Sequence, residues 1–187
     1  MKKTLSGFSL LELVMVIVII ALLAVTALPR FVSTIDDAKQ ASIQGIASGF
    51  SSGVMAARTQ WEAGNRPSVT IGGEKYNAVN YDGVEFWLTR ATNSSGSNTG
   101  FRDGFPIALK GEMFPDAISD QSCIDLMENL LHSSPKVATV SEANSDSSVQ
   151  YSAQASDNSC LYIQQEKSTA HQFVYDITTG RVAVNFN

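Results

Sequence analysis

The chain has 187 residues and a formal net charge of −5, with 18 Asp and Glu against 13 Lys and Arg. This acidic balance argues against a general nucleic-acid surface, which needs a stripe of cations. The length allows one compact domain of ordinary size in addition to a long terminal helix.

The first segment joins two basic residues to a long apolar run. Lys2 and Lys3 precede Gly7-Phe8, and residues 8–28 are apolar almost throughout. As a helix, such a run would be about 32 Å long, which is enough to cross a bilayer. The two lysines predict that its N-terminal end faces the cytoplasm. We therefore expect a transmembrane segment at residues 8–28, with the bulk of the chain on the side of the membrane away from the cytoplasm.

Glu12 is the one carboxylate inside this apolar run. An ionised carboxylate in hydrocarbon costs at least a few kcal/mol, so it indicates a function and needs a partner. The nearest cation that chemistry could supply is a new α-amine, created by cleavage before Phe8. An ordinary secretory signal cut after Ala27 is the alternative. Its apolar core of about 7–15 residues would be shorter, and Glu12 would have no purpose in it.

This N-terminus resembles that of type IV pilins and the related pseudopilins. The resemblance rests on Gly7, Phe8 and Glu12, and Pro29 matches a proline that the family often has where the helix leaves the apolar segment. The family's usual Phe-Thr-Leu-Ile-Glu reads Phe-Ser-Leu-Leu-Glu in this chain. The resemblance implies that a prepilin peptidase removes residues 1–7, that Phe8 becomes N-methylated, and that Glu12 acts in assembly.

Residues 29–62 are predicted to continue the helix as its amphipathic half. From Ile43 to Trp61 apolar residues recur at intervals of three and four. Pro29 should bend the helix or melt it locally. Each glycine in a helix interior costs about 1 kcal/mol against alanine, so a row of small residues spaced by four needs a packing reason. That row is expected to face the protein's own sheet, a helix of another subunit, or both: Ala41, Gly45, Gly49, Gly53 and Ala57.

Residues 63–187 are predicted to form a globular head made mainly of strands. Turn residues separate short β-prone runs, and Ser119 is placed to cap a helix that ends before Pro135. The predicted fold class is α+β, with the long helix packed on an antiparallel sheet as in pilins. The expected strands cover residues 69–71, 75–79, 84–89, 105–109, 149–155, 160–165, 171–177 and 181–186, with loops at 93–100 and 144–148.

Cys123 and Cys160 are the only two cysteines. In the oxidising compartment outside the inner membrane they are expected to form a disulfide. His132 and His171 show no ligand spacing with either cysteine, so no metal site is expected.

No catalytic constellation is visible, so we expect neither an enzyme nor a cofactor. Trp61 and Trp87 are interpreted as core anchors more readily than as sugar platforms. The two histidines are interpreted as surface or capping residues. The loops carrying Asp146, Asp157 and Asp176 could hold calcium, but no twelve-residue calcium loop is present.

Several distal segments are similar to one branch of the family, the mannose-sensitive haemagglutinin (MSHA) pilins. These are Asp103-Gly104-Phe105-Pro106, the loop from Cys123 to Cys160, and Tyr175-Asp176 with Thr179-Gly180-Arg181-Val182. Residues 58–63 and 81–84 look closer to that system's minor biogenesis pilin than to its major subunit.

The expected function is therefore that of a major or minor pilus subunit, which leaves the inner membrane for a surface filament used in attachment. Its expected partners are other pilin subunits, the prepilin peptidase and the inner-membrane assembly machinery. A pseudopilin of a type II secretion system is the alternative, and a membrane-anchored enzyme finds no support in the sequence.

Overall fold

The computed structural model describes residues 8–165 and 171–186. The chain divides into two compact units, residues 1–41 and residues 42–187. The expected leader, residues 1–7 with Lys2, Lys3 and Gly7, lies outside the described residues. The described part contains an N-terminal apolar helix and antiparallel sheets, so the mixed α+β class is confirmed.

The first helix, α1, covers Leu10–Ala63, close to the predicted limits. It continues through position 29 without a break, so the predicted local melting does not occur. A proline removes only one backbone hydrogen bond from the helical ladder, and the turns on either side can keep theirs. The side chain of Pro29 lies outside the described part of the chain.

In the second unit, α1 contributes one face of the hydrophobic core. The buried side chains recur at intervals of three and four, which is the period of one helix face and confirms the amphipathic interpretation. They belong to the same core cluster as residues from both sheets. These side chains are Ile43, Ala47, Phe50, Val54, Ala57 and Trp61.

The first sheet is antiparallel throughout, with strands in the order β1-β2-β3-β4. Its first two hairpins turn at Gly72-Gly73 and Asp82-Gly83, all of which have positive φ. Two-residue loops with positive φ at both positions match the twist of paired strands, and the predicted strands on either side of these loops are confirmed. The strands are β1 (Ser68–Ile71), β2 (Glu74–Tyr81), β3 (Val84–Leu88) and β4 (Pro106–Leu109).

A capped helix and a second sheet follow. The helix α2 covers Asp120–Leu130, and the Ser119 side chain accepts a hydrogen bond from the Ser122 amide, as predicted. The second sheet has the order β5-β6-β7-β8-β9. Its members are β5 (Val137–Thr139), β6 (Tyr151–Ser156), β7 (Ser159–Gln164), β8 (Gln172–Asp176) and β9 (Arg181–Asn185).

Three features of this region differ from the predictions. The strands form two sheets, whereas one was expected, and β5 pairs with β6 in parallel. The predicted loop at residues 144–148 is wrong at its start, because α3 (Val140–Ser145) reaches into it. Thr139 and Glu142 form a reciprocal capping box at the start of α3. Such a box satisfies the first amides of even a short helix, and its spacing was present in the sequence.

The disulfide joins α2 to β7. Cys123 and Cys160 are bonded, and both side chains are fully buried, which confirms the predicted pair. The Tyr162 hydroxyl donates to the Cys123 carbonyl oxygen at 2.7 Å, and the Tyr175 hydroxyl donates to the Pro106 carbonyl oxygen at 2.9 Å. Burial raises the pKa of both tyrosines well above the usual value, so both remain neutral hydrogen-bond donors.

Candidate assembly surface

The surface of the first unit is dominated by exposed apolar side chains. Within α1, residues Leu10–Leu28 form a helix that is long and apolar enough to cross a membrane. None of this segment is buried, and side chains such as Leu10 and Val25 are 80% and 74% exposed. Phe8, where the mature chain is expected to begin, is 85% exposed. Apolar surface of this extent is normally covered by lipid or by another protein.

The Glu12 carboxylate caps the start of this helix. Its Oε2 accepts a hydrogen bond from the Ser9 amide at 3.0 Å, and the Ser9 Oγ accepts one from the Glu12 amide at 3.2 Å. This reciprocal pair is a capping box, which satisfies two of the amides that a helix start leaves without partners. The Ser9 amide belongs to the Phe8–Ser9 peptide bond, so the box would survive cleavage before Phe8. The box supplies hydrogen bonds but no cation, so an ionised carboxylate at this position would still need one in an apolar setting.

The row of glycines in α1 does not face one common neighbour. A Cβ added at Gly53 would overlap the carbonyl oxygen of Leu130 and lie 3.0 Å from its carbonyl carbon. At Gly49 it would lie 3.1 Å from the Leu131 Cδ2, whereas at Gly45 no described atom lies within 4 Å. Gly53 and Gly49 therefore contact the end of α2 and the residue after it, not the sheet that was one of the two expected neighbours. Gly45 is exposed and open.

The candidate residues for other chemistry are scattered or buried. Trp61 and Trp87 are 2% and 1% exposed, which confirms them as core anchors. His132 is exposed, but His171 is 3% exposed, so the surface interpretation of His171 is wrong. No described residue is a hydrogen-bond partner of either ring nitrogen of His171. Its ring lies 5.6 Å from that of Phe186.

The described residues contain no group of three or more His, Cys, Asp or Glu side chains that could hold a metal ion. Two of the suggested calcium ligands have partners in the chain. Hydrogen bonds from Lys136 and then Ser148 lower the pKa of Asp146. Burial raises the pKa of Asp176, but hydrogen bonds from Thr178 and Thr179 outweigh it and lower that pKa overall.

An aromatic cluster on the second unit was missed by the sequence analysis. The rings of Tyr76 and Phe114 stack at 4.4 Å, and the Arg90 guanidinium lies 4.2 Å from the centre of the Tyr76 ring. Arg90 also pairs with Glu74 at 2.8 Å and lowers the pKa of that carboxyl. Phe114 lies in an irregular loop with no apolar periodicity, so no local pattern predicts this contact.

No family model, curated protein or solved structure matches this chain. A functional proposal therefore rests on the exposed apolar helix with its capping carboxylate and on the disulfide-bonded second unit.

Proposed function

We propose that this protein is a subunit of a type IV pilus, of the MSHA type, which assembles into a surface filament through its N-terminal helix. The observation that carries the proposal is the apolar segment Leu10–Leu28, none of which is buried and whose start is capped by the Glu12 carboxylate. Before assembly the segment lies in the inner membrane, with the head outside the cytoplasm. In the filament, equivalent helices of neighbouring subunits replace the lipid.

Glu12 selects the position of the next subunit in this proposal. Cleavage before Phe8 creates a charged amine, and the Glu12 carboxylate of one subunit pairs with that amine in its neighbour. Each charge alone is costly in an apolar setting, and the pair neutralises both. The capping bond from the Ser9 amide occupies only Oε2 in the free subunit, so the other carboxylate oxygen is available for this pairing.

The mature N-terminus tests the proposal directly. The intact mass of the chain, taken from filaments sheared off cells, should lack residues 1–7 and carry one added methyl group on Phe8. A chain that is present in the cell envelope but starts at Leu28 would instead identify a secretory signal and overturn the proposal.

Two substitutions at Glu12 separate charge pairing from helix capping. Glu12→Val removes both the charge and the cap, whereas Glu12→Gln keeps an oxygen that can accept from the Ser9 amide. Removing one partner of a buried ion pair costs about 3–5 kcal/mol, so both variants should stay in the membrane and fail to enter filaments. The measurement is the amount of each variant in sheared and membrane fractions. Normal incorporation of Glu12→Gln would show that the charge pair is not needed.

A further inference from the structure

A cavity in the second unit lies where residues from both sheets meet a loop. Its volume is about 200 Å³. Ile107 on β4 and Thr89, just after β3, come from the first sheet, and Ile177, just after β8, comes from the second. Phe114 and Ile118 close it from the loop before α2. A molecule in this cavity would contact all three parts of the unit.

The walls of the cavity are mainly apolar. Phe101, Ile107, Phe114, Ile118 and Ile177 provide aromatic and branched aliphatic surface. Stacking against Tyr76 holds the Phe114 ring in place. An apolar cavity of about 150 Å³ with walls of this type is large enough for benzene, so this one accommodates a single substituted ring.

One buried hydroxyl gives the cavity a polar preference. Thr89 lines it and is 1% exposed, and its Oγ accepts a hydrogen bond from the Phe105 amide at 2.9 Å. A hydroxyl also has a proton to donate, and no described residue accepts it. A ligand with a hydrogen-bond acceptor would satisfy this buried donor.

The charges at the rim disfavour an anionic ligand. Asp116 is exposed there. The Nη1 atom of Arg90 donates to Glu74 at 2.8 Å and to the Lys75 carbonyl oxygen at 2.7 Å, so the rim's cation already has partners. Placing a carboxylate in these apolar walls would be costly.

We propose that this cavity binds a small uncharged aromatic molecule with one hydrogen-bond acceptor, such as a phenol. The ring lies between Phe101 and Phe114, and its oxygen accepts from Thr89. No residue of Leu10–Leu28 lines the cavity. The proposed ligand binding can therefore be tested independently of the proposed filament assembly.

Isoleucine methyl groups offer a direct readout in the full chain in detergent. Phenol, toluene and benzoate are titrated while the δ1-methyl NMR signals are followed. Saturable shifts are expected at Ile107, Ile118 and Ile177, with none at Ile43 and Ile124, which do not line the cavity. Phenol should bind more tightly than toluene, and benzoate should not bind. Shifts that do not saturate, or that spread equally over all five signals, reflect partition into detergent and overturn the proposal.

Ala117 provides a matched pair of variants, because it is exposed and lines the rim. Ala117→Phe should fill the entrance and abolish the shifts, whereas Ala117→Ser should leave them unchanged. Both variants are measured in the same detergent, so a difference between their NMR shifts reports binding in the cavity and not partition into detergent. Equal shifts in the two variants would contradict binding there.

Thr89 tests the acceptor preference. Thr89→Val keeps the shape without the hydroxyl, and should weaken phenol about fivefold, the contribution of one ordinary hydrogen bond. Toluene binding should not change, and Thr89→Ser should restore phenol. If Thr89→Val has the dispersed signals of a folded head and still binds phenol as the wild type does, the proposed contact is wrong. If it does not fold, the Ala117 pair decides whether the cavity binds, and the wild type's affinities for phenol and toluene decide the acceptor preference.

Discussion

The two halves of α1 are equally helical and both rich in apolar residues, yet they bury them differently. Between Leu10 and Leu28 the apolar side chains surround the helix and are exposed. From Ile43 to Trp61 they follow one face, and that face is buried in the core of the second unit. A helix that is apolar on all sides must be covered by lipid or by another chain. A helix with one apolar face can instead bury that face against its own chain.

The same contrast recurs within the row of glycines. Gly53 is buried against the backbone of Leu130, and Gly45 is exposed with open space beside it. Glycines at a regular spacing therefore have different roles, and the role of each depends on the residue that lies next to it.

The largest effect should come from truncating the buried half. Phe50→Ala removes a ring that lies 5.3–5.8 Å from three aromatic rings, those of Tyr162, Phe173 and Tyr175. We expect the free energy of unfolding to fall by about 3–5 kcal/mol. Urea unfolding followed by fluorescence measures this, because Trp61 and Trp87 are both buried in the second unit.

The matched control is Leu22→Ala, at an exposed position of the other half. It should leave the unfolding of the head unchanged. A similar loss in both variants would mean that the apolar segment also stabilises the head, and the contrast between the halves would disappear.

Removing the disulfide should have a comparable effect. Cys123 and Cys160 are separated by 37 positions. For a loop of that length, chain entropy gives about 4 kcal/mol of stabilisation as an upper value. Cys123→Ala with Cys160→Ala should lower both the unfolding free energy and the level of protein in the cell, without affecting Leu10–Leu28. Alkylation of native, non-reduced wild-type protein should label neither cysteine, and labelling of both would show that the bond is absent.

The glycines should respond in opposite directions to the same change. Gly53→Ala forces its new methyl group into the Leu130 carbonyl and should cost about 1–3 kcal/mol. Gly45→Ala meets open space and should gain up to about 1 kcal/mol from helix propensity. Thermal unfolding of the two variants measures the difference. If Gly45→Ala keeps the head stable but reduces filament entry, Gly45 is a contact between subunits.

The smallest effect concerns pH. The pKa of Asp176 is lowered in the folded state, so its hydrogen bonds contribute stability above the unfolded value of about 3.9 and lose it as pH falls further. Asp176→Asn should therefore differ most from wild type near neutral pH, and the difference should shrink below about pH 4. A difference that does not vary from pH 7 to pH 2 would show that the charge contributes nothing.

Local patterns predicted most of the elements. The period of apolar residues identified α1, and the Gly-Gly and Asp-Gly pairs at residues 72–73 and 82–83 marked the turns between strands. Ser119 marked the start of α2, and two cysteines allowed only one disulfide. The pattern that predicts each helix or turn lies within a few residues of it. For the disulfide, each cysteine has only one other cysteine with which it can pair.

Features that depend on distant contacts were not predicted. The partner of Gly53 is set by where α2 ends, and no spacing in α1 encodes that. The parallel pairing of β5 with β6 is a matter of topology, and three-residue strands carry little pattern. The cavity arises from loop residues such as Phe114, which have no periodicity. The capping box of Ser9 and Glu12 is a local feature, and its Ser-x-x-Glu spacing could have been predicted from the sequence.

The position of Phe50 also determines when the head is able to fold. Its aromatic partners Tyr162, Phe173 and Tyr175 lie late in the chain. At about 5–20 residues per second, a ribosome completes α1 roughly 5–22 s before it reaches them. During that interval the apolar face from Ile43 to Trp61 has no cover from β7 and β8. A chain whose synthesis stops after α2 would therefore expose the apolar face of α1 to aggregation and would not form a smaller folded head.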